Sequence, residues 1–200
     1  MNFPPGNDKT IDTDKTRPPA GNTRFDTPAD LYAAIPQIAE LTQQRPTLGE
    51  DAFSYLIRLR SGTTPEEAVT FPAFALAPQT AIWWGHECLR TMPDYLNGAD
   101  RDMMETVMQW VKDPSTYNRH HLMREALWAP TRSPAVLLAL AVGWSGGSIA
   151  PNDPAPVPLH RAPRSINSSI LSCLARADLS RRSVFLARFI DMAEALVRVY

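Results

Sequence analysis

SPAVLLALAVGWSGG, residues 133–147, is the stretch on which the fold turns. Its apolar run reads in two ways. It could be a buried strand feeding Gly143-Trp144-Ser145-Gly146-Gly147, a match to the G-x-S-x-G nucleophile elbow of serine hydrolases, or it could be a helix that is apolar nearly all round. Ser133-Pro134 decides between them. A serine oxygen at the N-cap and a proline at the first helical position, where its missing N–H costs nothing, open a helix. An elbow also needs a helix directly after its serine, whereas Ser145 to Arg161, SGGSIAPNDPAPVPLHR, is a Pro-rich loop. A triad in hydrolase order further asks for an acid and then a distant histidine, and the only later histidine, His160, stands close behind Asp153 in that loop. The run therefore reads as a helix from Pro134 to Trp144, ended by a left-handed turn at Gly146-Gly147 that lets backbones approach.

Outward from this helix the same signals recur. Thr27-Pro28, Thr64-Pro65 and Asp113-Pro114 are read as helix starts, and Thr64-x-x-Glu67 and Thr47-x-x-Glu50 as capping boxes. Apolar residues fall at helical spacing in Leu31, Ile35, Ile38 and Leu41, in Met104, Val107, Met108 and Val111, and in Ile166, Ile170, Cys173 and Leu174. Phe185, Phe189, Met192, Leu196 and Val199 predict a long amphipathic C-terminal helix. Ala77 to Met92 is apolar nearly all round, like Pro134 to Trp144, and the two are expected to pack together at the centre. Nothing alternates as a strand would. The expectation is an all-α, single-domain bundle of about eight helices over residues 27–200, one of them kinked at Pro36, with a long Pro-rich loop at 145–161 and a disordered tail over residues 1–26.

Bulk properties narrow the function classes. Hydrophobic residues make up 44% of the 200 and charged residues 20%, a globular balance. A net charge of -1 lacks the basic footprint that nucleic acid requires. Residues 151–200 do hold seven arginines against four acids, a mild polarity that could meet an acidic partner. The two cysteines, Cys88 and Cys173, lie in apolar helical patterns and read as buried free thiols. No run approaches the length of a membrane span, and the N-terminus lacks a signal-peptide core, so the cytoplasm is expected.

No cofactor or metal set emerges. His86-Glu87 begins like a zinc-protease helix, but the position of the second histidine is Arg90. His86 is read as a satisfied core or boundary histidine. His120-His121 point to different helix faces and read as solvated. Gly146-Gly147 beside Ser145 could offer amides to an anion, yet it follows a helix and has no P-loop lysine. Tryptophans are numerous, and Trp83, Trp84, Trp110, Trp128 and Trp144 serve either as core or as anchors in a binding groove.

The ordered segments AIWWGHECLR (81–90), WVKDPSTYNRHHLMREA (110–126), WSGGSIAP (144–151), VPLHRAPRSINSSILSCLA and the closing RFIDMAEAL resemble a family of uncharacterised proteobacterial proteins, a domain of unknown function. The resemblance covers about residues 50–198. Before Trp83 the chain departs from it, with Ala81-Ile82 where family members tend to carry an Arg-Glu pair. Members are often encoded near type VI secretion genes, which implies an accessory role there. The resulting expectation is a non-enzymatic adaptor that binds a protein, a type VI secretion component or effector, with a small-ligand or anion sensor and a serine hydrolase as alternatives. Trp83, Trp84, Trp110, Arg119, Trp144, Ser145, Gly146, Gly147 and Pro151 are its binding or fold-defining candidates.

Overall fold

A computed structural model describes residues 23–148 and 153–198. Pro151 and most of the expected tail, residues 1–22, lie outside the described residues. Nine α-helices run through the described residues: α1 (Pro28–Ala34), α2 (Ala52–Arg60), α3 (Glu67–Ala75), α4 (Pro78–Arg90), α5 (Gly98–Lys112), α6 (Thr116–Trp128), α7 (Pro134–Gly143), α8 (Arg161–Ala175) and α9 (Leu179–Val197). Two short 3-10 turns, Pro36–Glu40 and Pro93–Tyr95, complete them. The fold is all-α, and the only β-type pairings among the described residues are isolated bridges.

Ser133 caps α7 as its sequence predicts, its hydroxyl accepting from the Val136 amide, and Thr27 and Asp30 form a reciprocal capping box on α1. Other expected starts fall elsewhere. Asp113 closes α5 rather than opening α6, which Ser115 caps instead. Thr64 and Thr47 form no capping box. Helix α3 begins at Glu67, and its carboxylate turns away to accept the amides of Gln43 at 2.9 Å and Gln44 at 3.2 Å. Glu50 binds Thr47 ahead of α2, whose cap is Asp51. At Pro36 the chain does not kink within one helix. Helix α1 ends at Ala34 and a 3-10 turn starts at Pro36, since proline supplies no N–H to continue the ladder.

The centre is built by α3, α4 and α7. Every residue of α3 is buried, as are all of α7 except Leu137. Helices α4 and α7 do pack together, and α8 wedges beside both. Gly85 of α4 makes this possible, because a Cβ there would sit 2.9 Å from Leu138 of α7 and 3.4 Å from Ile166 of α8. Helix α8 binds α7 through two serines, Ser165 to the Leu137 carbonyl and Ser169 to the Pro134 carbonyl, each at 2.6 Å. Trp84 is wholly buried and donates its indole N–H to the Phe189 carbonyl of α9 at 3.1 Å. Helix α9 is the long amphipathic helix expected, and Arg60 of α2 pairs with its Asp191 and Glu194. Cys88 and Cys173 are free and buried, and burial pushes the Cys173 thiol up to about 11.

Residues 23–26, counted in the expected tail, belong instead to the packed structure. Thr23 bridges to Leu76, Arg24 donates its amide to the Ala75 carbonyl at 2.7 Å, and Phe25 packs on the core. These residues are held because they satisfy carbonyls left open where α3 ends.

Candidate functional site

Two places warrant a site, and they differ in kind. The first gathers Arg119 with the turn after α7. Arg119 lies on the buried face of α6 with Leu122, Met123 and Ala126, and its guanidinium reaches the end of α7. There Nη1 donates to the carbonyls of Gly143 at 3.0 Å and Ser148 at 2.9 Å, and Nη2 lies 3.0 Å from His120 Nε2. Burial lowers its pKa, and no carboxylate offsets that among the partners named. The negative end of the α7 dipole and the converging carbonyls supply the compensation.

Two of the three glycines of the turn have a steric reason, while Gly146 faces open space and Gly147 alone takes the left-handed conformation expected of the Gly-Gly pair. A Cβ on Gly143 would meet Met123 Sδ, Cβ and Cγ within 2.9 Å, and Gly147 has φ of +61° with a Cβ position 3.0 Å from Arg119 Nη2. Ser145 donates its hydroxyl to the Val142 carbonyl at 2.8 Å, as a helix-terminating serine. Among the described residues no non-glycine residue has positive φ, so Ser145 lacks the strained backbone of an elbow. His160 precedes α8, and Asp153 accepts from the Ala155 amide. The turn thus directs carbonyls at a cation instead of amides at an anion. Val157 closes the loop by donating to the Gly147 carbonyl at 3.0 Å. Trp144 stacks beside Arg161, 5.8 Å from its guanidinium carbon, and borders a cavity of about 40 Å³, space for little more than water.

The sequence candidates do not converge on one pocket. Trp84 is bonded to α9 in the core, Trp83 and Trp110 are buried on α4 and α5, and Arg119, Trp144, Ser145, Gly146 and Gly147 surround the end of α7.

The second place is an open groove between α4 and α5, of about 740 Å³. Leu96, Met104, Met108 and Pro93 give it an apolar floor, while Arg90, Arg101, Glu105 and Lys112 stand at its rim. His86 and Glu87, both buried, form its polar wall. Glu87 accepts from Arg90 Nε at 2.9 Å and from Nη2 at 2.5 Å, and its other oxygen lies 3.0 Å from His86 Nδ1. Burial works to raise the Glu87 carboxyl, but the hydrogen bonds of His86 and Arg90 outweigh it and hold the group below the ordinary carboxylate range. His86 is therefore satisfied, as the sequence reading expects. The groove itself escapes that reading, which places Met108 in a buried stripe with Met104, Val107 and Val111. In the fold Met108 is only partly buried. The signal was the methionine pair Met104 and Met108, since flexible thioethers suit adaptable binding surfaces.

Among the described residues no cluster of His, Cys, Asp and Glu could hold a metal ion, and no helix is long and apolar enough to cross a membrane. Residues 55–197 match the model of a family of unknown function, DUF6931. No curated protein and no solved structure matches the chain.

Proposed function

The chain belongs to the DUF6931 family, which carries no assigned activity, and from its own surface we propose a non-catalytic adaptor that holds a segment of another protein in the groove between α4 and α5. The observation that carries this reading is the groove, with its methionine floor and charged rim. From Arg101 to Lys112 it follows α5 for about 16 Å, room for about three turns of a docked helix. Its rim favours acidic side chains on that segment. Glu87 is already engaged by Arg90 and His86, and among the described residues Arg101 hydrogen-bonds the Pro93 carbonyl and neither Arg101 nor Lys112 has an ion-pair partner, so two uncommitted cations stand against one rim carboxylate, Glu105. Type VI secretion proteins are the set in which to seek the partner, given the gene neighbourhood that the family resemblance implies.

The test is an affinity pull-down from the native bacterium with the tagged chain, comparing wild type with Met108→Glu and Lys112→Glu. Both positions are accessible enough for the variants to keep their helix content, which circular dichroism checks. A secretion component enriched by wild type and lost with both variants supports the proposal. Equal enrichment by all three chains, or none by any, removes it. Replacing the Trp144-to-Pro151 segment is a poor probe, because it removes Ser148, whose carbonyl is one of the two that hold the buried Arg119.

A further inference from the structure

Helix α6 carries a feature that groove docking leaves unused. On its outward face stand Tyr117, His121, Arg124 and Trp128, opposite the buried Arg119, Leu122, Met123 and Ala126. Trp128 is 84% exposed and Tyr117 78%, a large aromatic area left in water. The His121 ring stacks on Tyr117 with an interplanar angle of 8°, and Arg124 Nη2 lies 3.3 Å from His121 Nδ1, so the stripe is ordered. Beside it, between α5 and α6, lies a hollow of about 600 Å³ bordered by Asp102, Met103, Thr106, Glu125, Trp128 and Val136.

The order of this stripe is a palindrome. Its four positions are separated by four, three and four residues, with an aromatic ring at each end and a nitrogen base at each inner position. Two such helices, packed face to face and antiparallel about a two-fold axis between residues 122 and 123, bring Tyr117 of one copy to Trp128 of the other at both ends. The same axis sets His121 against Arg124 of the second copy, base against base, and Glu125, which has no ion-pair partner among the described residues, stands on the flank within reach of both and supplies the opposite charge they need. The hollow beside Trp128 receives the incoming Tyr117, whose hydroxyl finds Asp102 and Thr106 as acceptors. From this self-complementary spacing and charge we infer that α6 is a homodimerisation surface whose occupant is α6 of a second copy of the chain. A helix of thirteen residues spans about 20 Å, so the contact sits at the small end of specific interfaces and associates reversibly.

Sedimentation equilibrium of the full chain over about a hundredfold range of concentration tests this. The expected result is a mass rising toward twice the monomer's 22.2 kDa for wild type and staying at the monomer value for Trp128→Glu. Glu125→Arg is expected to weaken the association, and adding His121→Glu to restore it, since the pair is then reversed across the axis. Trp128 is exposed, so its replacement leaves the fold intact, with circular dichroism as the check. A wild-type chain that stays monomeric throughout, its α6 face left to another protein, overturns the inference. Association that persists in Trp128→Glu overturns it equally.

Discussion

Arg119 makes the sequence motif around Ser145 intelligible one residue at a time. A buried guanidinium needs acceptors, and the end of α7 with the Ser148 carbonyl supplies them. Arg119→Ala leaves those carbonyls without their charged donor and is expected to cost about 2–3 kcal/mol, read as a lowered urea midpoint. Gly147→Ala places a Cβ in the left-handed region against the same guanidinium and is expected to cost about 1–2 kcal/mol. Ser145 should not react with a fluorophosphonate probe in the folded chain, because its hydroxyl proton is donated to the Val142 carbonyl and no histidine among the described residues hydrogen-bonds to it. Labelling at that residue would reopen the hydrolase reading. Glu87 sets an acid dependence. Its folded carboxyl lies below the ordinary range, so its stabilisation is complete above the unfolded value and disappears as pH falls through the folded one. Wild type should therefore lose more stability than Glu87→Gln between neutral and acid pH, and parallel losses would contradict the pairing with Arg90 and His86.

At the scale of elements, arginine ends helices. Arg132 donates to the Ala126, Ala129 and Leu127 carbonyls where α6 stops, and Arg182 to those of Ala175 and Ala177 where α8 stops, just as Arg119 does for α7. Others are spent on rings or carboxylates: Arg161 over Trp144, Arg181 over Phe185, Arg198 over Phe53 and Arg164 on Glu40. The arginine excess of the C-terminal quarter, which invites an acidic partner when read as composition, is thus largely consumed inside the fold. Local signals were legible in the sequence. Ser133-Pro134 and the apolar run behind it gave α7, and the spacing of Phe185, Phe189 and Leu196 gave α9. What was illegible depended on distant residues. Glu67 leaves its capping box because the Gln43 and Gln44 amides, over twenty residues earlier, offer better use of a buried carboxylate, and Met108 is left half-buried because it lines the groove between α4 and α5. Trp84→Phe should isolate one such distant tie. It keeps the ring but removes the indole bond to the Phe189 carbonyl, which retains its helical partner in α9, at an expected cost of about 1 kcal/mol in urea unfolding.

For the whole molecule, these assignments separate what holds the fold from what faces outward. The buried tryptophans, the Gly-Gly turn and Arg119 belong to the first set. The α4–α5 groove belongs to the second, and the adaptor reading rests on it. In-cell photocrosslinking tests that division most directly, with benzoylphenylalanine placed at position 108 in one chain and at position 146 in another, in the native bacterium. The account predicts an adduct with a secretion protein from position 108 and none from position 146. An adduct from position 146 alone would return the binding role to the turn after α7 and contradict the account.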